Sequence, residues 1–437
     1  MKFGTDGVRG VAHDELTTDF AERLARAAAV ELANPSRTAV IGGDTRESTP
    51  AFVHALSEGF RAEGVDVVDL GVVPTPMVAF EAQRRDGIGA MVSASHNHHL
   101  DNGIKLFAAG GTKLSDDVQH RIEGWLERDE EPSPAARRGG SAVSTDHGPY
   151  VDHVRSILQG RRLDGLHVVL DCANGAATGV GPEVLRSTGA TVHVIADRPD
   201  GRTINAGCGA TDTAALAAEV RSRGADVGLA LDGDADRLIA VDHLGREIDG
   251  DHLIAICAED LRARELLREH TVVVTVMSNL GFRHAMAAAD IDIVETPVGD
   301  RYVLEALLAG PYSLGGEQSG HVIFADHATT GDGVLTALAL LDAVRRDGRT
   351  LADLAAGAMT SLPQVLRNVR VAERRPDVVE LLDDDIRQVQ ERLGEDGRVL
   401  VRPSGTEPLI RVMAEAPTQR QADDAVGQLI AALEARA

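Results

Sequence analysis

Apolar runs alternate with helix-like stretches along the first three quarters of the chain. Eight of these runs lead directly into Asp, Ser, Asn or Gly. Alternating strands and helices are typical of α/β units with largely parallel sheets, in which ligands bind outside the carboxyl ends of the strands. We therefore expect functional side chains to follow the predicted strands, which are TAVIGGD (38–44), VDVVDLG (65–71), IGAMVSA (88–94), LHVVLDCANG (166–175), TVHVIAD (191–197), DVGLALDGD (226–234), TVVVTVMSNLG (271–281) and IDIVETPVGD (291–300).

Breaks in this alternation divide the chain into four predicted domains. Pro, Gly and charged residues predict a linker at 128–149, and softer boundaries lie near 243–251 and around Pro363. The first three blocks share a similar length and alternation, which predicts related α/β domains, whereas the last block has a smaller α+β pattern. The predicted domains span 1–140, 148–246, 249–362 and 366–437.

Composition favours a folded protein that binds neither nucleic acid nor membranes. The 437 residues are 43% hydrophobic, enough for several cores, and the formal net charge is -24. Such an acidic surface repels nucleic acid and anionic membranes. The lysines are Lys2, Lys105 and Lys113 alone, and excess acid with so little lysine predicts adaptation to high salt. Because the net charge would repel an anionic substrate, a site for one would need a local cluster of arginines and one of the few lysines.

The N-terminus and the cysteines add two expectations. The opening sequence MKFGTDGVRG lacks the charged start and apolar stretch of a signal peptide, and no apolar run approaches the roughly 20 residues that span a bilayer. We therefore expect a cytoplasmic protein. Cys172, Cys208 and Cys257 lie far apart without C-x-x-C spacing, which argues against a zinc site or a disulfide framework.

The clearest chemical signal is the acidic run LDGDADR. Asp232, Asp234 and Asp236 alternate at the end of a predicted strand, before Arg237. Three close carboxylates repel one another, and a hard divalent cation, Mg²⁺ first, would compensate them. An EF-hand is excluded by its own spacing, since the sixth position is Arg237 and the twelfth is His243. Two alternatives stay open: an aspartyl phosphatase with Asp232 as nucleophile, and a solvated acidic turn.

A candidate phosphate-binding loop lies in RPSGTEPLIR, at 402–411. Ser404 and Thr406 supply hydroxyl donors, and Gly405 allows backbone N–H groups to approach a ligand. The arginines at both ends offer planar forks that suit phosphate oxygens. The alternative interpretation is an ordinary Pro-Ser-Gly turn between two strands.

Two further glycine-rich stretches carry polar side chains. LGGEQSGH places Glu317, Ser319 and His321 on a tight loop, where the carboxylate and small donors are suited to vicinal hydroxyls. Taken alone, His321 fits a satisfied core or surface histidine better than a functional one. FGTDGVRG places Asp6 and Arg9 among glycines at the start of the chain. Because this stretch lacks the lysine of a G-x-x-x-x-G-K-[ST] loop, it does not predict a P-loop kinase.

Ser95 follows the predicted strand at 88–92 and stands directly before His96. Neighbouring side chains on an extended chain point to opposite sides, so we do not expect this adjacency to make a nucleophile and base pair. No G-x-S-x-G elbow surrounds Ser95, which disfavours a hydrolase. With a metal site and a phosphate loop elsewhere in the chain, Ser95 is instead a candidate phosphoryl acceptor and donor.

The chain resembles the α-D-phosphohexomutases over nearly its full length, and within them the branch that acts on hexosamine phosphates. The motifs that carry the resemblance occur in the family's order: FGTDGVRG, SASHN with DNGIK, DCANGA, LDGDADR, TVMSNLG, VGDRYVLE, GGEQSGH, TTGDG and RPSGTEPLIRVM. One position departs from the pattern, because the family usually has Pro after Ser-His-Asn and this chain has His98. Losing that proline relaxes a preset backbone angle in the loop.

The resemblance implies three related α/β domains with mixed, largely parallel sheets and a smaller C-terminal α+β domain, heart-shaped around a central cleft. It implies that Ser95 carries the transferred phosphoryl group and completes a Mg²⁺ site with Asp232, Asp234 and Asp236. The other implied site residues are catalytic Arg9, Lys105, Arg237 and His321, sugar-contacting Glu317 and Ser319, and phosphate-binding Arg402, Ser404, Gly405, Thr406 and Arg411.

The resemblance also implies a reaction. Phosphorylated Ser95 would phosphorylate a sugar 6-phosphate at O1, and the resulting 1,6-bisphosphate would turn round and return its 6-phosphoryl group to Ser95. The expected pair is glucosamine 6-phosphate and glucosamine 1-phosphate, with Mg²⁺ and a hexose or glucosamine 1,6-bisphosphate as cofactors, and a homodimer is compatible with the resemblance. The alternatives are a phosphomannomutase or phosphoglucomutase with the same mechanism, a Mg²⁺-dependent phosphatase using Asp232, and a non-catalytic sugar-phosphate binding protein.

Overall fold

The structure is a computed structural model that describes residues 2–4, 6–32, 35–128, 137–403 and 408–436. Contacts divide the chain into two compact units. The larger unit comprises Met1–Met277 and Ile291–Ala358, and the smaller one comprises Ser278–Asp290 and Met359–Ala437. All eight strands predicted from apolar runs form, and each begins within two residues of its predicted start.

The first sheet of the larger unit has six strands: β1 (Val8–Val11), β2 (Thr38–Gly43), β3 (Asp66–Val72), β4 (Ile88–Val92), β5 (Asp101–Phe107) and β6 (Ser141–Val143). Their order is β1-β5-β4-β2-β3-β6, with β4, β2, β3 and β6 parallel and β5 antiparallel to β4 and β1. The helices of this part are α1 (Thr18–Glu31), α2 (Thr49–Ala62), α3 (Thr75–Arg84) and α4 (Asp116–Leu126).

The linker predicted at 128–149 is partly wrong. Within it, Ser141–Val143 form β6 and pair in parallel with β3, so the first sheet continues past residue 140. The Gly140 N–H donates to Asp66 Oδ1 at 2.6 Å just before this strand. The strand has three residues, all exposed, and therefore leaves no apolar run in the sequence. Residues 129–136 of the predicted linker lie outside the described residues.

The second sheet has five strands: β7 (His167–Asp171), β8 (Thr191–Ile195), β9 (Val227–Leu231), β10 (Leu238–Asp242) and β11 (Glu247–Ile248). Their order is β11-β10-β9-β7-β8, in which β9, β7 and β8 are parallel. β9 and β10 form an antiparallel pair, so residues 232–237 are the turn that joins them. The helices of this part are α5 (Gly148–Arg155), α6 (Val180–Ser187) and α7 (Ala214–Arg223).

The third sheet has four strands: β12 (Thr271–Thr275), β13 (Asp292–Thr296), β14 (Leu314–Gly316) and β15 (Val322–Phe324). Their order is β13-β12-β14-β15, with β15 alone antiparallel. Every residue of β4, β9 and β12 is buried, which explains why continuous apolar runs predicted them. The helices of this part of the larger unit are α8 (Gly250–Ala263), α10 (Asp300–Ala309), α11 (Gly333–Asp347) and α12 (Leu351–Ala358), while α9 (Leu280–Ala288) belongs to the smaller unit.

The smaller unit confirms the α+β pattern predicted beyond Pro363. Its antiparallel sheet has the order β16-β18-β17, formed by β16 (Gln364–Arg370), β17 (Arg398–Pro403) and β18 (Leu409–Glu415). Its remaining helices are α13 (Val378–Leu381), α14 (Asp383–Leu393) and α15 (Gln419–Glu434). The buried Glu415 accepts the Leu280 N–H at 2.8 Å and the Arg398 Nε–H at 2.6 Å, which holds α9 on this sheet. Along the described chain, no helix is long and apolar enough to cross a membrane.

Candidate active site

The serine loop, residues 93–101, begins where β4 ends. Ser95 is 1% exposed and has a φ of 53°, in the left-handed region that non-glycine residues rarely adopt. Its hydroxyl donates to Asp232 Oδ2 at 2.6 Å. The first and second sheets therefore meet at this hydrogen bond, with the serine oxygen directed at the acidic turn.

His96 is closer to Ser95 than the sequence led us to expect. Its Nδ1 lies 3.2 Å from Ser95 Oγ, so the expectation that the two side chains diverge was wrong. The reason is the left-handed backbone at Ser95, because neighbouring side chains diverge only on an extended chain. Burial first, and then the charges of Arg237 and Arg9, lower the pKa of His96 to about 4. The ring is therefore neutral at pH 7.

The acidic turn, residues 232–237, brings together the three aspartates among the predicted metal ligands. Asp232, Asp234 and Asp236 are almost fully buried, and one carboxylate oxygen from each lies within 4.8 Å of the others. Asp234 Oδ1 and Asp236 Oδ1 have no hydrogen-bond partner among the described residues. Burial, and then Asp236 and Asp234, raise the pKa of Asp232 well above its usual range. Buried oxygen ligands that repel one another fit a hard divalent cation, so this turn could hold a metal ion.

Lys105 on β5 balances part of this negative charge. Its Nζ lies 2.8 Å from Asp234 Oδ2, 2.8 Å from Asp236 Oδ2 and 2.9 Å from Asp6 Oδ2. Burial alone would lower the pKa of Lys105, but its three carboxylate partners raise it well above its usual range. The lysine is therefore a fixed cation beside the metal ligands.

The other predicted cations surround the same turn. Arg9 Nη2 donates to Asp6 Oδ2 at 2.5 Å. The Arg237 N–H donates to Asp232 Oδ1 at 3.2 Å, while its Nε lies 3.9 Å from Asp236 Oδ1 and has no hydrogen-bond partner in the described chain. Arginine donors of this kind suit an incoming phosphoryl group.

The sugar loop, residues 316–321, begins at the end of β14 and contacts β10, the strand that follows the acidic turn. The Leu238 N–H donates to the Gly320 carbonyl at 3.0 Å. A Cβ at Gly320, where φ is 90°, would lie 2.1 Å from the Leu238 carbonyl oxygen, so this close approach requires glycine. Glu317 Oε1 accepts the Gly299 N–H at 3.2 Å, and Ser319 Oγ is buried without a hydrogen-bond partner among the described residues.

His321 is buried between two carboxylates. Its Nε2 accepts the Gly331 N–H at 2.9 Å, which assigns the ring proton of the neutral form to Nδ1. Nδ1 lies 3.7 Å from Asp236 Oδ1, and Nε2 lies 3.5 Å from Asp300 Oδ2. His321 is therefore a buried, hydrogen-bonded histidine, which fits the core histidine that the sequence alone favoured, and it also lies beside the acidic turn.

The predicted phosphate loop belongs to the smaller unit. Arg402 on β17 and Arg411 on β18 are directly paired across the two antiparallel strands and are both half-buried. Ser404, Gly405 and Thr406 lie outside the described residues. The structure therefore places two of the five predicted phosphate-binding residues, on neighbouring strands.

Several residues of the site were missed in the sequence. Thr75 donates its hydroxyl to Asp234 Oδ2 at 2.5 Å, and Lys113 Nζ donates to Asp6 and Asp300. Arg46 donates to backbone carbonyls of the serine loop. One signal was available for Lys113, since it is among only three lysines in the chain.

Comparisons with known proteins agree with this architecture. Four models of the phosphoglucomutase/phosphomannomutase family match consecutive stretches: alpha/beta/alpha domain I at residues 1–133, domain II at 148–245, domain III at 249–362 and the C-terminal domain at 366–432. A phosphoglucosamine mutase of Frankia alni is 50% identical over 448 residues, covering 99% of this chain and 98% of that protein.

Solved structures share the fold. A phosphoglucomutase/phosphomannomutase family protein from Burkholderia thailandensis has a TM-score of 0.82 at 24% identity, covering 99% of this chain and 97% of that one. An N-acetylphosphoglucosamine mutase from Aspergillus fumigatus, in complex with GlcNAc-6P and magnesium, has a TM-score of 0.65 at 19% identity, covering 99% and 95%. These matches define the class: the fold is that of the α-D-phosphohexomutases.

The chain belongs to the phosphoglucomutase/phosphomannomutase family and, through its half-identical relatives, to the phosphoglucosamine mutases within it. It is accordingly a phosphosugar mutase, an intramolecular phosphotransferase that relocates a phosphoryl group within a sugar phosphate. The resemblance read from the motifs is confirmed.

Proposed function

We propose that this mutase interconverts glucosamine 6-phosphate and glucosamine 1-phosphate through a phosphoserine at position 95. The observation that carries the proposal is the 2.6 Å hydrogen bond from Ser95 Oγ to Asp232, inside a cluster of buried carboxylates and cations. Phosphoryl transfer depends on positioning and charge neutralisation, and both are present at this oxygen. An ordinary buried serine would have no such neighbours.

Mg²⁺ is the proposed metal. Asp232, Asp234 and Asp236 would hold it together with an oxygen of phosphoserine 95, and the partnerless Oδ1 atoms of Asp234 and Asp236 support this. When bound, the ion supplies neutralisation of phosphoryl charge. The magnesium complex of the Aspergillus fumigatus relative is consistent with this choice.

The chain's own cations are proposed to stabilise the phosphoryl group during transfer. Lys105, Arg9 and Arg237 surround the acidic turn, and arginine forks and a fixed ammonium match equatorial phosphoryl oxygens. His321 is proposed as the group that moves a proton, because it is buried beside this charge cluster with one nitrogen facing each carboxylate.

The reaction has two transfers. In the first, the phosphorus–oxygen bond to Ser95 breaks as a bond to sugar O1 forms, which gives a 1,6-bisphosphate. The intermediate then turns round, and its 6-phosphoryl group returns to Ser95, leaving the 1-phosphate. We propose that the phosphate not being transferred is bound by Arg402, Ser404, Gly405, Thr406 and Arg411.

The sugar loop is proposed to recognise the hexosamine. Glu317 offers a carboxylate to sugar hydroxyls, and the partnerless Ser319 Oγ supports a role in binding a polar ligand, because buried hydroxyls normally find partners. The half-identical phosphoglucosamine mutases favour glucosamine phosphate over mannose or glucose phosphate. A hexose or glucosamine 1,6-bisphosphate would serve as the activator that first loads Ser95.

A ³¹P NMR time course tests this function. The purified protein, with Mg²⁺ and a trace of glucose 1,6-bisphosphate, is expected to convert glucosamine 6-phosphate to the 1-phosphate faster than it converts mannose 6-phosphate. Ser95→Ala should abolish turnover, while Ser222→Ala, on the exposed face of α7, should leave it unchanged. Faster turnover of mannose 6-phosphate would overturn the sugar assignment, and phosphate release retained in Ser95→Ala would favour a phosphatase using Asp232.

Three further predictions accompany this function. We propose a cytoplasmic location, since the proposed substrates are sugar phosphates. A homodimer and adaptation to high salt also stay predictions. Sedimentation analysis tests the first of these two, and loss of activity below about 0.5 M salt tests the second, because a Debye length of a few ångströms at high salt removes self-repulsion.

A further inference from the structure

Arg46, on the loop after β2, is a buried arginine whose guanidinium hydrogen bonds are all used. It is 1% exposed, and its Nε donates to Asp44 Oδ2 at 2.8 Å. Its Nη2 donates to the Ser95 carbonyl at 3.0 Å and to the Asn97 carbonyl at 2.9 Å. Its Nη1 donates to the carbonyls of His98 and Asp101. All five N–H donors of the side chain are therefore engaged, four of them by the serine loop.

The backbone N–H of Ser95 is also connected by hydrogen bonds to the Asp44–Arg46 ion pair. The Ser95 N–H donates to Ser93 Oγ at 2.9 Å, and the Ser93 hydroxyl donates to Asp44 Oδ2 at 2.7 Å. Both peptide groups of Ser95 are thus connected to the Asp44–Arg46 pair. Because the two peptide planes on either side of a residue set its φ and ψ, this closed network holds Ser95 in its left-handed conformation.

The Ser95 carbonyl also accepts a second hydrogen bond, from a residue between β8 and β9 of the second sheet. Asn205 Nδ2 donates to the Ser95 carbonyl at 2.9 Å. The acidic turn also approaches it, since a Cβ at Gly233 would lie 2.5 Å from that oxygen. The position of Ser95 relative to Asp232 is therefore fixed through the serine's backbone, from both sides.

We propose that Arg46, supported by Asp44 and Asn205, is a positioning residue for phosphoryl transfer that fixes the backbone of Ser95 so that its oxygen faces the acidic turn. The proposal rests on the phosphoserine chemistry proposed above. Left-handed backbone at a non-glycine residue persists only where its surroundings enforce it.

Arg46→Lys is the first test, because lysine keeps the charge beside Asp44 but has three donors instead of five. The rate of Ser95 phosphorylation by glucose 1,6-bisphosphate is expected to fall about 100-fold, the effect of misplacing a reacting group by about 1 Å. KM should change less than about twofold, since Arg46 is 1% exposed and all its donors are engaged within the protein. The matched control is Arg61→Lys, an arginine of α2 that donates to the Gly139 carbonyl and should show no loss.

Chemical rescue separates positioning from general damage. Arg46 lines a cavity of about 520 Å³, together with Thr49, Val53 and Arg61. Guanidinium can enter this cavity. At tens of millimolar it should raise the Ser95 phosphorylation rate of Arg46→Ala at least about tenfold. Sodium chloride at the same concentration is the control, and equal recovery with either salt would contradict a specific role.

If the Arg46 variants do not fold, Asn205→Ala decides the question. It removes the second donor to the Ser95 carbonyl from a half-buried position and should lower kcat by about tenfold, with KM unchanged. Because Asn205 has a φ of 57°, where alanine is strained, Asn205→Gly is the companion variant that removes the same donor and keeps this backbone. Wild-type rates in this variant or in folded Arg46→Lys would overturn the proposal. Failure of the proposed function looks different, because the wild-type protein itself would then acquire no phosphate at Ser95.

Discussion

The serine loop and the acidic turn meet at one hydrogen bond, from Ser95 to Asp232, but they are held in opposite ways. The serine loop is fixed through its backbone, because Arg46 donates to four of its carbonyl groups. The acidic turn is balanced largely by side-chain charge, with Lys105 contacting two of its carboxylates. Hydrogen bonds to the backbone therefore hold the nucleophile, and they involve little unpaired charge. The metal ligands are held by attraction between charged side chains.

This difference has a physical consequence. A backbone network of satisfied hydrogen bonds changes little with metal or with pH near neutrality, because few of its groups titrate there. Clustered carboxylates respond to any change in nearby charge. The metal should therefore control the acidic turn strongly, while the serine loop stays formed with or without it.

The largest effect is expected from removing the metal. Treatment with EDTA, or Asp234→Asn, should lower mutase turnover at least about 10³-fold, since a bound metal contributes several kcal/mol to the transition state. Mg²⁺ should raise the melting temperature of the wild-type protein and not that of Asp234→Asn. Asp212→Asn, before α7, is the matched control. Full turnover in EDTA would contradict the metal site.

The next effect is expected from Lys105→Met. Removing this cation should lower turnover about 10² to 10³-fold, the usual effect of losing one electrostatic contact to the transition state. It should also make folding stability depend on Mg²⁺, because Asp6, Asp234 and Asp236 then lose their common counter-charge. Thermal melts with and without Mg²⁺ measure this, with Lys2→Met as the lysine control. A variant as stable as the wild type in EDTA would show that the turn is not held by charge.

The smallest effect is expected in the serine loop, at His96. Its folded pKa of about 4 lies below the unfolded value near 6.5, so the folded state binds fewer protons between these pH values. Stability is then lost as the pH falls from about 6.5 towards 4. His96→Gln should remove about 1 to 2 kcal/mol of this acid sensitivity, a figure discounted for the partial exposure of the ring. Denaturant melts at pH 7 and pH 4.5, with the exposed His120→Gln as control, measure it, and identical pH profiles would contradict the shift.

The same two regions show what the sequence could predict. Buried parallel strands are continuous apolar runs, and the residues that follow them are local in sequence, so β4 with Ser95 and β9 with Asp232 were both foreseen. β6 was not, because its three residues are exposed and carry no apolar pattern. The left-handed backbone at Ser95 has no sequence signature either, and for this reason the contact with His96 was missed.

The residues that hold the site were harder to predict than those that form it. Thr75 and Asp234 are 159 positions apart, and Arg46 and Ser95 are 49 apart. Arg46 binds backbone carbonyls, which every residue possesses, so its partners leave no mark on the sequence. Motifs record the groups that do chemistry, while the supporting contacts appear only once the sheets are assembled.

The most direct test of the central claim is a single turnover of the phosphoenzyme. Protein loaded at Ser95 with a 1,6-bisphosphate and freed of excess would be mixed with one equivalent of glucosamine 6-phosphate and followed by ³¹P NMR. We predict that the phosphoserine signal falls while glucosamine 1,6-bisphosphate is present and returns as the 1-phosphate appears, without release of inorganic phosphate. Inorganic phosphate as the main product, or phosphoserine that persists while neither the bisphosphate nor the 1-phosphate forms, would contradict Ser95 as the group that carries the phosphoryl.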